Sequence, residues 1–372
     1  MELAGLLIRT ERLRRGWSQE GLCRGICAVS YLSRLEQGKA RASEEILRLL
    51  FARLELDYDG GETDGEALDE CRELLLCGDE DAFRAQFAAL APHAGVLRRS
   101  RRAADFGLLN AFYSDEAAPL DEAFEPFLDA RQLAMQRVLQ NDFAAALALD
   151  PAPYYRMLDG MHSYYAGRYT EAAAALQRAC DAAAEQGMAH LMLRCRVFLG
   201  NCYSDLQNAA QMREHYAVAA RLARAVGDQS MLRTIRYNIA STDLIQGDAQ
   251  AAYRYFSALE DPTAMELHKL AVCCEQLGRR EEALRALDAA APLCGSTDPL
   301  LRARMLEPVR YRLEHPDYLH DAGYGELLTG LFAEIRRVLP SGYARFHLPW
   351  MLEWYQANRQ YRQAFLLMQE FS

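Results

Sequence analysis

Residues 18–38 read SQEGLCRGICAVSYLSRLEQG, and the spacing within this stretch is that of two short helices joined by a tight turn. Ser18 stands as an N-cap whose oxygen accepts from the N–H groups of the following turn. Gln19 and Glu20 open that helix, and Leu22 and Ile26 give it an apolar side. Gly25 interrupts it. A second helix, from about Ala28 to Gln37, turns Val29, Leu32 and Leu35 toward a core and leaves Ser30, Tyr31, Ser33 and Arg34 on or near the free face. Gly38 ends it as a C-cap. Upstream, Leu3, Leu6, Leu7, Ile8 and Leu13 make one amphipathic helix; downstream, Ser43 caps a fourth carrying Ile46, Leu49, Leu50 and Leu54. These stripes are enough to close a small core.

LRRGWSQEGLCRG followed by VSYLSRLEQGKARASEEILRLLFARL resembles the Xre-type helix-turn-helix of phage repressors. It is more similar still to the version in Gram-positive peptide-sensing regulators that join this module to tetratricopeptide repeats, the group of Rgg, NprR and PlcR. The resemblance implies that Gln19 meets a phosphate and that the base-reading helix begins near Ala28. Ser30, Tyr31 and Arg34 then point into the major groove, and Arg12 pairs with Glu36 to hold the first helix to the third. Phosphate contacts set register and base contacts carry sequence, so Arg34 is assigned to a base edge and Gln19, Lys39 and Arg41 to the backbone.

The chain has 372 residues, 51% of them hydrophobic, so it can bury a large core and is too long for one simple domain. Its formal net charge of -10 is unevenly spread, because residues 1–58 hold ten Arg and Lys against eight Asp and Glu. A small cationic module on an acidic body fits nucleic-acid binding by the N-terminal part. Of the 42 basic residues only Lys39 and Lys269 are lysine, a bias read as genomic base composition. The ten cysteines form no paired C-x-x-C framework and no histidine pair accompanies them, so buried thiols in a reducing compartment are expected, with no metal and no cofactor. Nothing resembles a cleavable leader, and no apolar run reaches the ~20 residues that span a bilayer. The protein is expected to be cytoplasmic and without a membrane partner.

DYDGGETDGE, from Asp57 onward, is Gly-rich and acidic and breaks the apolar stripe. The domain reading is therefore 1–58 helix-turn-helix, 59–67 linker and 68–372 a repeat domain for ligand binding and dimerisation. The repeat is explicit: Gly160, Gly167, Ala172, Leu176 and Ala179 recur as Gly200, Gln207, Met212, Tyr216 and Ala219. They recur again as Ala240, Gly247, Ala252, Phe256 and Leu259, and once more as Ala271, Gly278, Ala283, Leu287 and Ala290. This is the pattern of tetratricopeptide repeats in a long-helix form. Weaker copies stand at 74–90 and 353–371, whereas 103–150 and 299–345 read as helical but match poorly. The expected fold class is all-α: the helix-turn-helix followed by a right-handed superhelix of tetratricopeptide-like helix pairs, about eight in number.

In such a stack the first helix of each pair lines a concave surface. Register places Tyr154, Met157, Leu158, Met161, Tyr164 and Tyr165, then Arg194, Val197, Phe198, Asn201, Ser204 and Asp205, then Thr234, Tyr237, Asn238, Ser241, Leu244 and Ile245, then Met265, His268, Lys269, Val272, Glu275 and Gln276 on it. A carboxamide both donates and accepts, which suits the unpaired N–H and C=O of an extended peptide. Asn201 and Asn238 occupy groove positions of adjacent repeats, and in the peptide-sensing regulators asparagines on successive repeats play this clamping part. Arg194 or Lys269 is placed to meet a peptide carboxylate, with Tyr165 and Tyr237 as aromatic lining. Arg156, Arg196 and Arg236 recur at the same step and are expected to form a scaffold ladder of ion pairs.

The function expected is a DNA-binding transcription regulator whose repeats sense a short signalling peptide in quorum sensing and control a homodimer's grip on its double-stranded operator. The alternative is a repeat-based adaptor that uses the helix-turn-helix for localisation only. No phosphate loop, zinc motif or nucleophile with a base at workable spacing supports an enzyme.

Overall fold

The computed structural model describes residues 3–59, 64–114, 118–294, 299–339 and 341–371. Residues 60–63, in the middle of the expected linker, lie outside the described residues. Every regular element described is helical. In chain order the first helices are α1 (Leu3–Arg14), α2 (Gln19–Cys23), α3 (Val29–Glu36), α4 (Glu44–Arg53), α5 (Asp64–Leu76), α6 (Glu80–Ala89), α7 (Ala94–Leu97), α8 (Ala103–Tyr113), α9 (Ala130–Leu139) and α10 (Phe143–Leu149). Then come α11 (Pro153–Tyr165), α12 (Tyr169–Glu185), α13 (Ala189–Asp205), α14 (Ala209–Val226), α15 (Gln229–Ile245) and α16 (Ala249–Phe256). The chain closes with α17 (Ala264–Gln276), α18 (Arg280–Ala290), α19 (Pro299–Glu314), α20 (Ala322–Val338), α21 (Ser341–Ala357) and α22 (Tyr361–Glu370). Two compact units divide it: residues 1–161 with 174–195, and residues 162–173 with 196–372.

In the first unit, α1 to α4 enclose Ile8, Leu22, Leu32, Leu35, Leu50 and Phe51, all essentially solvent-free, and Ala103 at the start of α8 joins the same cluster. Ser18 caps α2 by accepting from Gly21, and Ser43 caps α4 by accepting from Ile46. Gly25 (φ +75°) turns the chain between α2 and α3, and Arg53 on α4 donates to the Leu22 and Arg24 carbonyls left open at the end of α2. Gly5 lets α1 approach α3 so closely that a Cβ there would lie 2.2 Å from the Leu35 carbonyl oxygen. Three residues assigned to this core face outward instead: Leu13 is 58%, Val29 43% and Leu49 48% exposed. Helices this short have narrow buried stripes, and these positions fall at their margins.

The repeat markers acquire physical meaning in the structure. The second marker of each copy, Gly167, Gln207, Gly247 and Gly278, has a left-handed backbone with φ of +77°, +56°, +90° and +71° and ends the first helix of its pair. A capping side chain follows where the sequence supplies one: Asn208 accepts from Gln211, and Asp248 from Ala251. The first and fourth markers meet. A Cβ on Gly160 would stand 2.7 Å from Leu176, and one on Gly200 would stand 2.4 Å from the ring of Tyr216. In the later copies Ala240 with Phe256 and Ala271 with Leu287 lie in one apolar cluster of the second unit.

The Arg156, Arg196 and Arg236 ladder is not there as ion pairs. Among the described residues no carboxylate lies within 4.0 Å of any of the three, and Arg196 instead hydrogen-bonds His215 at 3.0 Å. Recurrence at one step reflects a shared place on each helix, and the neighbours at that place differ from pair to pair.

Because the Tyr216 ring occupies the space a Cβ would need, Gly200→Ala is expected to cost about 1–3 kcal/mol by overpacking. Thermal unfolding followed by circular dichroism checks it; an unchanged midpoint would mean that the ring yields freely.

Candidate functional site

The helix-turn-helix presents its sequence-predicted residues unequally. Ser30 and Arg34 on α3, and Lys39 and Arg41 beyond it, are exposed. Tyr31 is half-buried and donates its hydroxyl to the Arg41 carbonyl at 2.7 Å, which fastens α3 to the segment leading into α4. Gln19 is also half-buried and turns inward, donating to Glu36 at 2.8 Å. Glu36 simultaneously accepts a two-pronged pair from Arg12 at 2.6 and 2.8 Å, and Arg12 donates further to the Trp17 carbonyl. The hydrogen bonds to Glu36 hold the Arg12 guanidinium above its ordinary range despite burial. This buried fork joins α1, the entry to α2 and the end of α3, so the exposed side of α3 is set by an ion pair on its hidden side.

The second unit encloses a cavity of about 700 Å³. Tyr164 and Tyr165 of α11, Phe198, Asn201, Ser204 and Asp205 of α13, Tyr237, Asn238, Ser241 and Ile245 of α15, and Lys269 of α17 all line it. Arg194 does not: it forms an ion pair with Glu80 at 2.8 Å within the first unit. Of the other groove assignments, Glu275 is engaged by Arg312 at 2.6 Å, Tyr154, Met157, Val197, Leu244, His268 and Val272 are buried in the packing, and Leu158, Met161, Thr234, Met265 and Gln276 are not among the lining residues.

At the centre of the cavity wall Asn201 accepts two hydrogen bonds through Oδ1, from the Tyr216 hydroxyl at 2.6 Å and from Asn238 Nδ2 at 3.1 Å. Asn201 Nδ2 and Asn238 Oδ1 make no hydrogen bond among the described residues, so the pair offers a donor and an acceptor from adjacent repeats. Ser204 and Thr242 hydroxyls meet at 3.0 Å beside them, and Thr242 donates to the Asn238 carbonyl. Tyr164 donates to Asp205 at 2.9 Å, and Arg345 reaches the same carboxylate at 3.4 Å. Burial pushes the Asp205 carboxyl above its usual range, opposed by the Tyr164 hydroxyl and by Arg345.

One wall was not legible in the repeat register. It is α21, which supplies Tyr343, Arg345, Phe346, Leu348, Pro349 and Leu352. The aromatic run YARFHLPWMLEWY was the available signal, but it keeps no offset of the repeat. Tyr216 was also missed, because its place in the pattern assigned it to helix packing alone. Behind this wall His347 donates from Nδ1 to the Tyr343 carbonyl at 2.8 Å and stacks on His268. Burial drives the His347 imidazole down to about 3, against the pull of the Tyr343 carbonyl and with help from neighbouring Lys269. Burial does the same to His268, with Lys269 and His347 adding to it.

Residues 8–60 match the HTH_3 helix-turn-helix family. The N-terminal module is thus an Xre-type helix-turn-helix, followed by a helical repeat domain. No curated protein matches the chain. A Rap protein solved in complex with competence and sporulation factor is similar in fold, with a TM-score of 0.50 at 14% identity over 82% of this chain and 96% of that one. The apo form of the quorum sensor NprR from B. thuringiensis aligns with 98% of this chain and 96% of its own at 14% identity and a TM-score of 0.44. Bacillus thuringiensis PlcR, solved with the peptide PapR7 and DNA, aligns with 83% of this chain and 99% of its own at 16% identity and a TM-score of 0.35. Among the described residues no helix is long and apolar enough to cross a membrane.

The buried imidazoles give the fold an acid sensitivity with a definite sign. Their folded values lie below the ordinary 6.5, so as pH falls from 6.5 toward 3 the unfolded chain takes up protons that the native chain refuses. Stability is expected to drop by roughly 1 kcal/mol per pH unit for each such imidazole. Urea unfolding across this window should show the slope, and His347→Gln should flatten it; equal slopes would mean that His347 is charged in the native state.

Proposed function

We propose that this protein is a transcription regulator that binds operator DNA through its helix-turn-helix and is controlled by a short signalling peptide held in the cavity of its repeats. The observation that carries the reading is the Asn201–Asn238 pair in a cavity wall of a chain that also bears a helix-turn-helix. An extended peptide has an N–H and a C=O to satisfy at each residue, and the open Nδ2 of Asn201 and Oδ1 of Asn238 offer the complementary groups. Aromatic side chains of Tyr165, Phe198 and Tyr237 supply apolar lining for peptide side chains between them.

On the DNA side Arg34 reads a base edge, Ser30 and Tyr31 flank it in the major groove, and Lys39 and Arg41 meet phosphates. Gln19 spends one amide N–H on Glu36 and keeps its second for a phosphate, so the contact that holds it to α3 also aims it. One small module has few base contacts; two on a palindrome add theirs at a fixed spacing, so the working form is a homodimer assembled through the repeats. The peptide controls it by preferring one of two arrangements of the repeats, since equal affinity for both would shift nothing. Residues 1–58, 59–67 and 68–372 then serve as reader, linker and sensor.

Fluorescence anisotropy on the DNA flanking its own gene, at two salt concentrations and with peptides concentrated from spent medium, tests this directly. Salt-sensitive, sequence-selective binding that the peptide fraction shifts is the expected result. Binding that discriminates no sequence would instead favour an adaptor. Arg34→Ala is expected to lose discrimination at one base position by about 10- to 100-fold, the range of a good base contact, while keeping non-specific affinity. Asn238→Ala should leave DNA binding intact and abolish the peptide response; a full response in that variant would remove the clamp from the proposal.

A further inference from the structure

Lys269 is out of place by every ordinary rule of burial. It sits on α17 with only 4% of its surface exposed, its Nζ 2.8 Å from the centroid of the Phe346 ring, on the wall of the cavity. Among the described residues no carboxylate lies within ion-pair distance of it. The half-buried arginines of the same unit are treated differently: Arg312 is paired with Glu275 and Arg345 with Asp205. An unpaired buried guanidinium would be prohibitive because it keeps its proton, whereas an amine can release it. Lysine is rare in this chain, with only Lys39 elsewhere, and one of the two stands at the single cavity position where a basic side chain has no partner acid among the described residues.

The surroundings favour the neutral amine. Its own helix contributes His268, α15 contributes Tyr237, and α21 contributes Tyr343, Arg345 and His347, while the Cys273 thiol acts in the opposite sense but less than burial does. The carboxylate of the cavity wall, Asp205, is engaged by Tyr164 and Arg345. Burial holds the Lys269 amine well below its ordinary range. Such a group is an incomplete ion pair: an incoming carboxylate supplies the missing charge, and a proton from solvent completes it, turning R–NH2, H+ and R′–COO− into a hydrogen-bonded ammonium carboxylate.

We propose that Lys269 is the receptor for a carboxylate of the ligand and that it takes up one proton from solvent as that carboxylate binds. The proposal rests on the peptide reading given above and adds to it the chemical class of the anchoring group. Binding is consequently selective for a free C-terminus or an acidic side chain, and is coupled to pH.

Two lysines make the test unusually clean. The full chain labelled with 13C at the lysine ε carbon gives two signals, assigned by the loss of one in Lys269→Met. The probes are three libraries of random-sequence short peptides: free-acid without Asp or Glu, C-terminal amide without Asp or Glu, and C-terminal amide with them. In the free protein at neutral pH the Lys269 signal is expected at the position of a neutral amine. The acid-bearing libraries should move it to the ammonium position with uptake of one proton per chain in unbuffered solution, and the acid-free amide library should not.

Response to the first library alone identifies the C-terminal carboxylate as the source, and response to the third alone identifies a side chain. If the acid-free amide library changes the cavity's tyrosine emission as strongly as the others, the peptide reading survives and the carboxylate role falls. If no library perturbs anything, both fall. A Lys269 already charged in the free protein also overturns the proposal. Lys269→Met should unfold at a higher temperature and lose at least tenfold of its preference for acid over amide; retention of that preference counts against the assignment.

Discussion

A small residue on the first helix of a pair receives a large one from the second, and the working parts of the repeats hang on that contact. At Gly200 the approach leaves no room for a Cβ against the ring of Tyr216. The same contact orients Tyr216 so that its hydroxyl ends at Asn201, which in turn holds Asn238 of the next repeat. Packing and polar placement are therefore one event here. A ring fixed by close packing has little freedom, so its hydroxyl arrives at a defined point, and the carboxamide it meets is preorganised without further cost in side-chain entropy.

The cavity wall keeps its polar groups under two different regimes. Where charge is retained, it is paired: Asp205 with Tyr164 and Arg345, Glu275 with Arg312. Where no partner is provided, burial acts to remove the charge, as at His268, His347 and Lys269. Both are answers to the cost of an unsolvated ion, and they differ in what they leave available. A paired group stiffens the wall, whereas an unpaired neutral base keeps its affinity for an acid that arrives from outside.

The helix-turn-helix shows the first regime. Arg12 and Glu36 form a two-pronged buried pair, joined by Gln19, beneath the helix whose outer side is read as the DNA face. Leu13, Val29 and Leu49 remain outside, so the core of this module is narrower than its apolar residues allow. Beside that core, Gly5 lets α1 approach α3 closely and Arg53 holds two α2 carbonyls.

By itself the sequence determined whatever is local or periodic: the caps at Ser18 and Ser43, the turns at Gly167, Gln207, Gly247 and Gly278, and the small and large positions of each repeat. From these the helix-turn-helix, the helix pairs and most of one cavity wall could be read, because a helix turns its residues outward at a known angle. Tertiary structure decided the rest. It brought α21 across the cavity, sent Arg345 to Asp205, withdrew Arg194 to Glu80, and left Lys269 buried beside Phe346. Those outcomes depend on which distant groups share a space once the helices have packed. Charge pairing and burial are properties of that shared space, and no period in the chain encodes it.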